Sequence, residues 1–142
     1  MKKRGKAREA NGLGRSACPI ANTLELLGDK WTLLVVRDIL FLGKRLYGEL
    51  MQAPEGFPSN ILADRLKRLE TAGVLEKHPY QQNPLRYEYR LTSKGSDLFP
   101  LLKEMICWGN KHIQGTTVPP PGFLQHFEEL TTAGRKKSSR KK

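Results

Sequence analysis

The stretch Ser59–Leu75, SNILADRLKRLETAGVL, constrains the rest of the chain most, because it reads at once as a helix, a core-packing element and a polar reading surface. Leu62, Leu66 and Leu69 recur at steps of four and three, which sets one apolar stripe on a helix of period 3.6. The opposite face carries Asn60, Ile61, Arg65, Lys67 and Arg68. A helix from Ser59 to Ala72 is ~20 Å long at 1.5 Å per residue, a size that enters a DNA major groove. Ser59 is expected as the N-cap, with Pro58 restricting the approach, and Gly73 as the left-handed residue that ends the helix. Alone, the same pattern also describes an amphipathic surface helix whose charges are merely solvated, so its flanks decide.

Before it, Pro19 suits the first turn of a helix whose Ile20, Leu24 and Leu27 share a face, closed by Gly28. Asp29 is expected to cap a second helix, Lys30 to about Leu42, apolar on most sides and therefore the buried centre of the domain. A short helix from about Leu46 to Met51 follows, with Tyr47 and Leu50 expected to point inward. A turn rich in Pro and Gly then leads to the opening stretch, making a helix-turn-helix whose second helix is placed to read the groove. After Gly73, Val74–Tyr80 and Arg86–Thr92 alternate as strands around a polar tip, Gln81–Leu85, which is the pattern of a β-wing. Thr92 or Ser93 should cap a long helix to about Ile113, kinked at Pro100. Its apolar excess, with Leu98, Leu101, Leu102, Met105 and Trp108, fits a twofold partner; packing on its own domain is the other reading. The fold class is thus mainly α, α+β: a winged helix-turn-helix with a two-stranded wing and a long C-terminal dimerisation helix.

Length and charge set the boundaries. The chain of 142 residues fits one domain with tails. Of its net charge of +11, residues 1–16 hold six Lys/Arg against one acid and residues 133–142 hold six against none. The body between is neutral, so the basic excess sits in tails of disorder-prone composition. The expected division is a basic tail over 1–16, the domain over 17–114, a Pro-rich linker with a short amphipathic helix (Phe123, Leu124, Phe127, Leu130) over 115–132, and a second basic tail over 133–142. Two cysteines, Cys18 and Cys107, are too few for a disulfide framework and suit a reducing cytoplasm. No apolar region follows the basic start as a secretory signal requires, and Leu33–Leu42, broken by Arg37 and Asp38, is too short to span a bilayer. A soluble, cytoplasmic protein with no membrane partner is expected.

Assembled, the chain closely resembles the HxlR-type winged helix-turn-helix transcriptional regulators. The resemblance rests on CPI at 18–20, LLGDKWTLLVVRDIL at 26–40, YGEL at 47–50, NILADRLKRLE at 60–70, AGVL at 72–75, RYEYRLTSKG at 86–95 and WG at 108–109. It covers about residues 18–113. Leu46 departs slightly, since members often carry a basic residue there, and the tails lie outside the match. The resemblance implies a small cytoplasmic homodimer that binds a palindromic or near-palindromic operator and regulates nearby genes, with no separate ligand-binding domain. Some members sense electrophiles or oxidants through a cysteine at the position of Cys18.

On this reading Asn60 and Ile61 meet base edges, Asn60 suiting adenine and Ile61 a thymine methyl. Arg65 reaches guanine or a phosphate, while Lys44, Arg45, Lys67 and Arg68 hold the backbone. The free amides near Ser59 offer a phosphate site. Asp64 is expected to face Lys67 or Arg68. Gln82, Asn83 and Arg86 are the wing's candidates. Dimerisation falls to Ile20, Leu24, Leu98, Leu101, Leu102, Met105 and Trp108. For Cys18 a redox switch and an inert core thiol both stay open; Cys107 is expected in the core. The effector is unassigned, an oxidant or a small molecule.

A non-specific nucleic-acid architectural protein acting through its basic tails is the alternative, separable by equal affinity for all duplexes with a steep salt slope. An enzyme finds little support. Gly12–Ala17 fits the loose dinucleotide fingerprint but follows a basic tail instead of a strand, and the three histidines lack metal-ligand spacing. No cofactor or metal is expected.

Overall fold

The central helix is α2, Thr32–Leu42, and the other elements are arranged around it. The computed structural model describes residues 13–140, with side chains described for residues 13–133. The order is α1 Pro19–Leu27, α2, α3 Tyr47–Leu50, α4 Ser59–Thr71, β1 Leu75–Gln82, β2 Leu85–Leu91, α5 Ser93–Ser96, α6 Phe99–His112 and α7 Phe123–Arg140. Val35, Val36 and Ile39 of α2 are buried with Leu50, Phe57, Val74, Leu75 and the stripe Leu62, Leu66 and Leu69. That stripe seats α4, as its spacing dictates.

Helix ends follow local chemistry. Asp29 accepts from the amides of Trp31 and Thr32, both at 3.1 Å, and from the Thr32 hydroxyl, so α2 starts at Thr32, two residues later than expected. At α4 the expected cap is corrected: Pro58 is the N-cap and Ser59 the first helical residue, with no side chain bonded to the first-turn amides. The far end is a Schellman motif. Gly73 has φ 78°, its N–H donates to Glu70 O and Val74 N–H to Leu69 O.

The wing is an antiparallel hairpin with Leu75 opposite Leu91 and Gln82 opposite Leu85, turning at Asn83–Pro84. Its first strand runs two residues further than expected and its second starts one residue earlier, so the turn is shorter. A bulge lies between Pro79, opposite Tyr87, and Gln81, opposite Arg86, leaving Tyr80 as the extra residue. At the wing's base, Gly95 is so close to the Val74 carbonyl that a Cβ there would stand 2.3 Å from its oxygen.

The expected long helix after the wing is two helices. Thr92 caps α5, accepting from Gly95 N–H, and the helix stops at Ser96. Pro100 stands in the first turn of α6, where its missing N–H costs nothing, so it begins a helix instead of kinking one. Buried Phe99 meets Phe41 of α2 edge-on at 6.1 Å. The C-terminal helix is also longer than its apolar pattern suggests, running to Arg140 through the segment expected as a tail. It docks on the body: Phe123 and Phe127 stack on Phe41 at 5.4 and 5.0 Å, and Lys103 pairs with Glu128 at 3.3 Å. Of the N-terminal tail, residues 1–12 lie outside the described residues. Residues 13–16 fold against α1, with Gly14 N–H on Asn22 Oδ1 at 2.7 Å and Arg15 on Glu25 at 2.8 Å.

Candidate nucleic-acid interface

The surface made by α3, α4 and the wing is the only described one that joins a helix-turn-helix to a hairpin. Tyr47, expected inside, is exposed, and its hydroxyl donates to the Ser59 carbonyl at 3.0 Å, which ties α3 to the first residue of α4. On α4, Ser59, Asn60 and Lys67 are exposed and Ile61 half-buried. Among the described residues the side chains of Asn60 and Lys67 make no hydrogen bond or ion pair, and no side chain caps the first turn of α4. At the wing tip Gln82, Asn83 and Arg86 are exposed, and the Arg86 guanidinium has no partner among the described residues. These groups can donate to phosphates or base edges without first breaking a contact.

Four expected DNA contacts are placed differently, for one reason: a carboxylate or carbonyl within the protein already holds the cation. Lys44 Nζ lies 3.1 Å from Asp38, a fully buried carboxylate that also takes Arg37 Nε at 2.8 Å. Arg37 makes a two-pronged pair with Glu55, at 2.7 and 2.9 Å, which together with Asp38 raises its pKa above the ordinary guanidinium value against the opposing effect of burial. The Glu55 carboxyl is lowered to about 2, chiefly by that bond. Arg45 turns onto the carbonyls of Ile39 and Lys44 at 3.4 and 3.3 Å. Arg68 reaches the Glu25 carbonyl at 3.4 Å.

Arg65 is held most firmly. Its Nε donates to Asp29 at 2.9 Å and another guanidinium nitrogen pairs with Asp64, so Asp64 faces Arg65 and not the expected Lys67 or Arg68. Burial alone would raise the Asp29 pKa, but bonds from Thr32, Arg65 and the Trp31 amide outweigh it and carry the carboxyl down to about 2. Asp29 therefore does two jobs, capping α2 and holding an arginine of α4. The first was legible from its place before the helix; the second joins residues 36 positions apart and has no local trace.

The outer apolar residues also divide. Ile20, Leu24, Leu101, Met105 and Trp108 are exposed, Ile20 by 71 % and Trp108 by 62 %. Leu102 is 6 % exposed and belongs to the core, and Leu98 is half-buried against it, so neither lies on the outer face as expected. Both cysteines are exposed, which removes the core reading for Cys18 and for Cys107. Among the described residues no His/Cys/Asp/Glu group could hold a metal, and no helix is long and apolar enough to cross a membrane.

This architecture has known relatives. The model for the HxlR-like helix-turn-helix family matches residues 26–117. An uncharacterized HTH-type transcriptional regulator of Mycobacterium tuberculosis is 36 % identical over 107 residues, covering 75 % of this chain and 66 % of the relative. The chain thus spans about two thirds of that relative's length. Two solved structures align at a TM-score of 0.58: the transcriptional regulator YodB from Bacillus subtilis in its reduced form, at 27 % identity over 72 % of this chain and 100 % of the other, and the redox regulator HypR in its oxidized form, at 29 % over 71 % and 100 %. With the fold and more than half of its residues matched, the chain belongs to the HxlR-like helix-turn-helix family and has its winged helix-turn-helix fold.

Proposed function

We propose that the protein acts as a homodimer on a palindromic DNA operator, with α4 in the major groove and the wing tip against the flanking backbone. The observation that carries this reading is the pairing of two unlike surfaces: Asn60, Lys67 and Arg86 unpaired on one, and the large apolar residues of α1 and α6 exposed on the other. Large apolar side chains left on the surface suit burial against a partner, and a twofold axis would use the same face of both copies. Two α4 helices would then stand about one helical turn apart, ~34 Å. Asn60 and Ile61 serve base edges; Lys67, Gln82, Asn83 and Arg86 serve phosphates.

The YodB and HypR structures are described as a reduced form and as a redox regulator, respectively. Here Cys18 is exposed and is the N-cap residue of α1, beside Ile20 on the proposed dimer face. Oxidant control through Cys18 follows from that position, because a change of thiol chemistry there would alter how two copies meet.

Selection of bound fragments from random duplexes, with sedimentation in parallel, tests the whole reading. The expected result is a dimer at micromolar concentration and an inverted-repeat site whose half-sites are about 10 bp apart. A single chain with no preference among duplexes overturns it. Treatment with peroxide should change operator affinity of the wild type and leave Cys18→Ser unchanged; equal responses remove Cys18 from the scheme.

A further inference from the structure

All four tyrosines of the chain, Tyr47, Tyr80, Tyr87 and Tyr89, line one open cleft of about 670 Å³ between α3 and the wing. Lys77 and Arg86 line it too. The two walls are pinned together. Tyr89 N–H donates to the Arg45 carbonyl at 2.7 Å, and the Tyr47 hydroxyl fixes α3 to the start of α4. The bulge at Tyr80 matters here. Strict alternation along β1 would put Tyr80 and Lys77 on opposite faces of the hairpin, and the extra residue lets both border the same space.

The chemistry of the walls selects an occupant. Tyrosine rings offer flat apolar faces. Lys77 Nζ sits 4.4 Å from the centre of the Tyr87 ring, and Arg86 has no hydrogen bond or ion pair. The one acid on the lining, Glu49, has its carboxylate taken by the amides of Arg45 and Leu46 at 3.0 and 2.9 Å. Burial first, then the charge of Glu70, push the Tyr89 phenol upward. The cleft therefore presents stacking faces and two cations, Lys77 and Arg86, against the single amide-bonded carboxylate of Glu49 on its lining. Its volume falls among pockets of ~300–1,000 Å³ that take multi-ring ligands.

We propose that this cleft is a binding site for a planar aromatic acid of two or three fused rings, stacked among the tyrosines with its carboxylate on Arg86. Arginine suits that end because its planar fork matches a carboxylate. The bound acid occupies Arg86 and adds negative charge at the wing, so it opposes DNA binding. This second half rests on the DNA-reading role proposed for α4 and the wing.

Calorimetric titration of the full chain with 2-naphthoate, in the absence of DNA, tests the site alone. The expected result is one saturable site per chain. Neutral 2-naphthalenemethanol and the variant Arg86→Gln should each bind about tenfold more weakly, the loss of one charge-assisted pair. Tyr80→Ser and Tyr87→Ala should weaken 2-naphthoate as well, with thermal midpoints near the parent because both rings are exposed. No saturable binding overturns the site, as does equal binding of acid, alcohol and variants. If these variants lower DNA affinity while the parent binds no 2-naphthoate, the cleft seats the DNA backbone instead and the proposal is wrong. A DNA titration repeated with 2-naphthoate present should show weaker binding. Unchanged DNA affinity with the acid bound overturns the antagonism only, and failure to bind any DNA overturns the role of α4 while the titration result stands.

Discussion

The cations around α2 and α3 and those of the wing are the same residue types put to opposite uses. Arg37, Lys44 and Arg45 point into the protein, where Asp38, Glu55 and two carbonyls consume their donors. Arg86 at the wing tip is unpaired, and Lys77 only lies over a tyrosine ring. The difference comes from where carboxylates sit. Asp38 is fully buried in α2 and needs compensation, so nearby cations are recruited to it. The outer half of the hairpin has no buried acid, and its cation stays available to an external anion. Charge counted along a sequence thus overstates the DNA-facing charge wherever a buried acid lies within reach.

The largest effect that could break this contrast is expected at Asp38. Asp38→Ala takes the only carboxylate from Lys44 and leaves Arg37 with Glu55 alone, and should cost about 3–5 kcal/mol of stability in urea unfolding; a loss under 1 kcal/mol would mean those cations are not held there. Lys44→Ala should cost about 1.5–3 kcal/mol, the range for a hydrogen bond to a charged group. Its DNA affinity, measured on the folded fraction, should stay near the parent's. Arg65 comes next. The Asp29 pKa is lowered from 3.8 to about 2, so its contribution is complete above pH 3.8 and disappears as pH falls through about 2. Arg65→Ala should move the Asp29 carboxyl back upward in an NMR titration and remove roughly 2 kcal/mol or less at neutral pH. A changed base preference with an unmoved Asp29 would instead put Arg65 among the outward cations. The smallest effect is at the wing: Arg86→Gln should weaken all duplexes alike and lower the salt slope by ~0.9, one phosphate contact, without altering the unfolding midpoint.

Elements written in local pattern were legible, and contacts between distant residues were not. The stripe Leu62, Leu66, Leu69 and the glycine at 73 placed α4 to within its cap, because periodicity and left-handed backbone are properties of neighbouring residues. The wing followed from alternation. The break at Asp97–Leu98 leaves no mark in the sequence because the apolar pattern runs across it, and the Pro100 ring, which suggests a kink, suits a first turn equally well. For the site, Asn60, Lys67, Gln82, Asn83 and Arg86 stand outside as their positions on α4 and the wing tip suggest. Lys44, Arg45 and Arg65 do not, since the groups holding their side chains lie on other turns of the chain. The cleft was invisible for the same reason, as its tyrosines are spread from 47 to 89 and meet only when β1 bulges.

The interruption between α5 and α6 works as an elbow. A continuous helix would have carried the wing's direction straight into the outer face; with the rod broken, the aim of Leu101, Met105 and Trp108 depends on how the Phe99 ring is wedged against Phe41. In the proposed dimer, resizing that single wedge would retune the distance between the two subunits and leave the residues of α4 as they were.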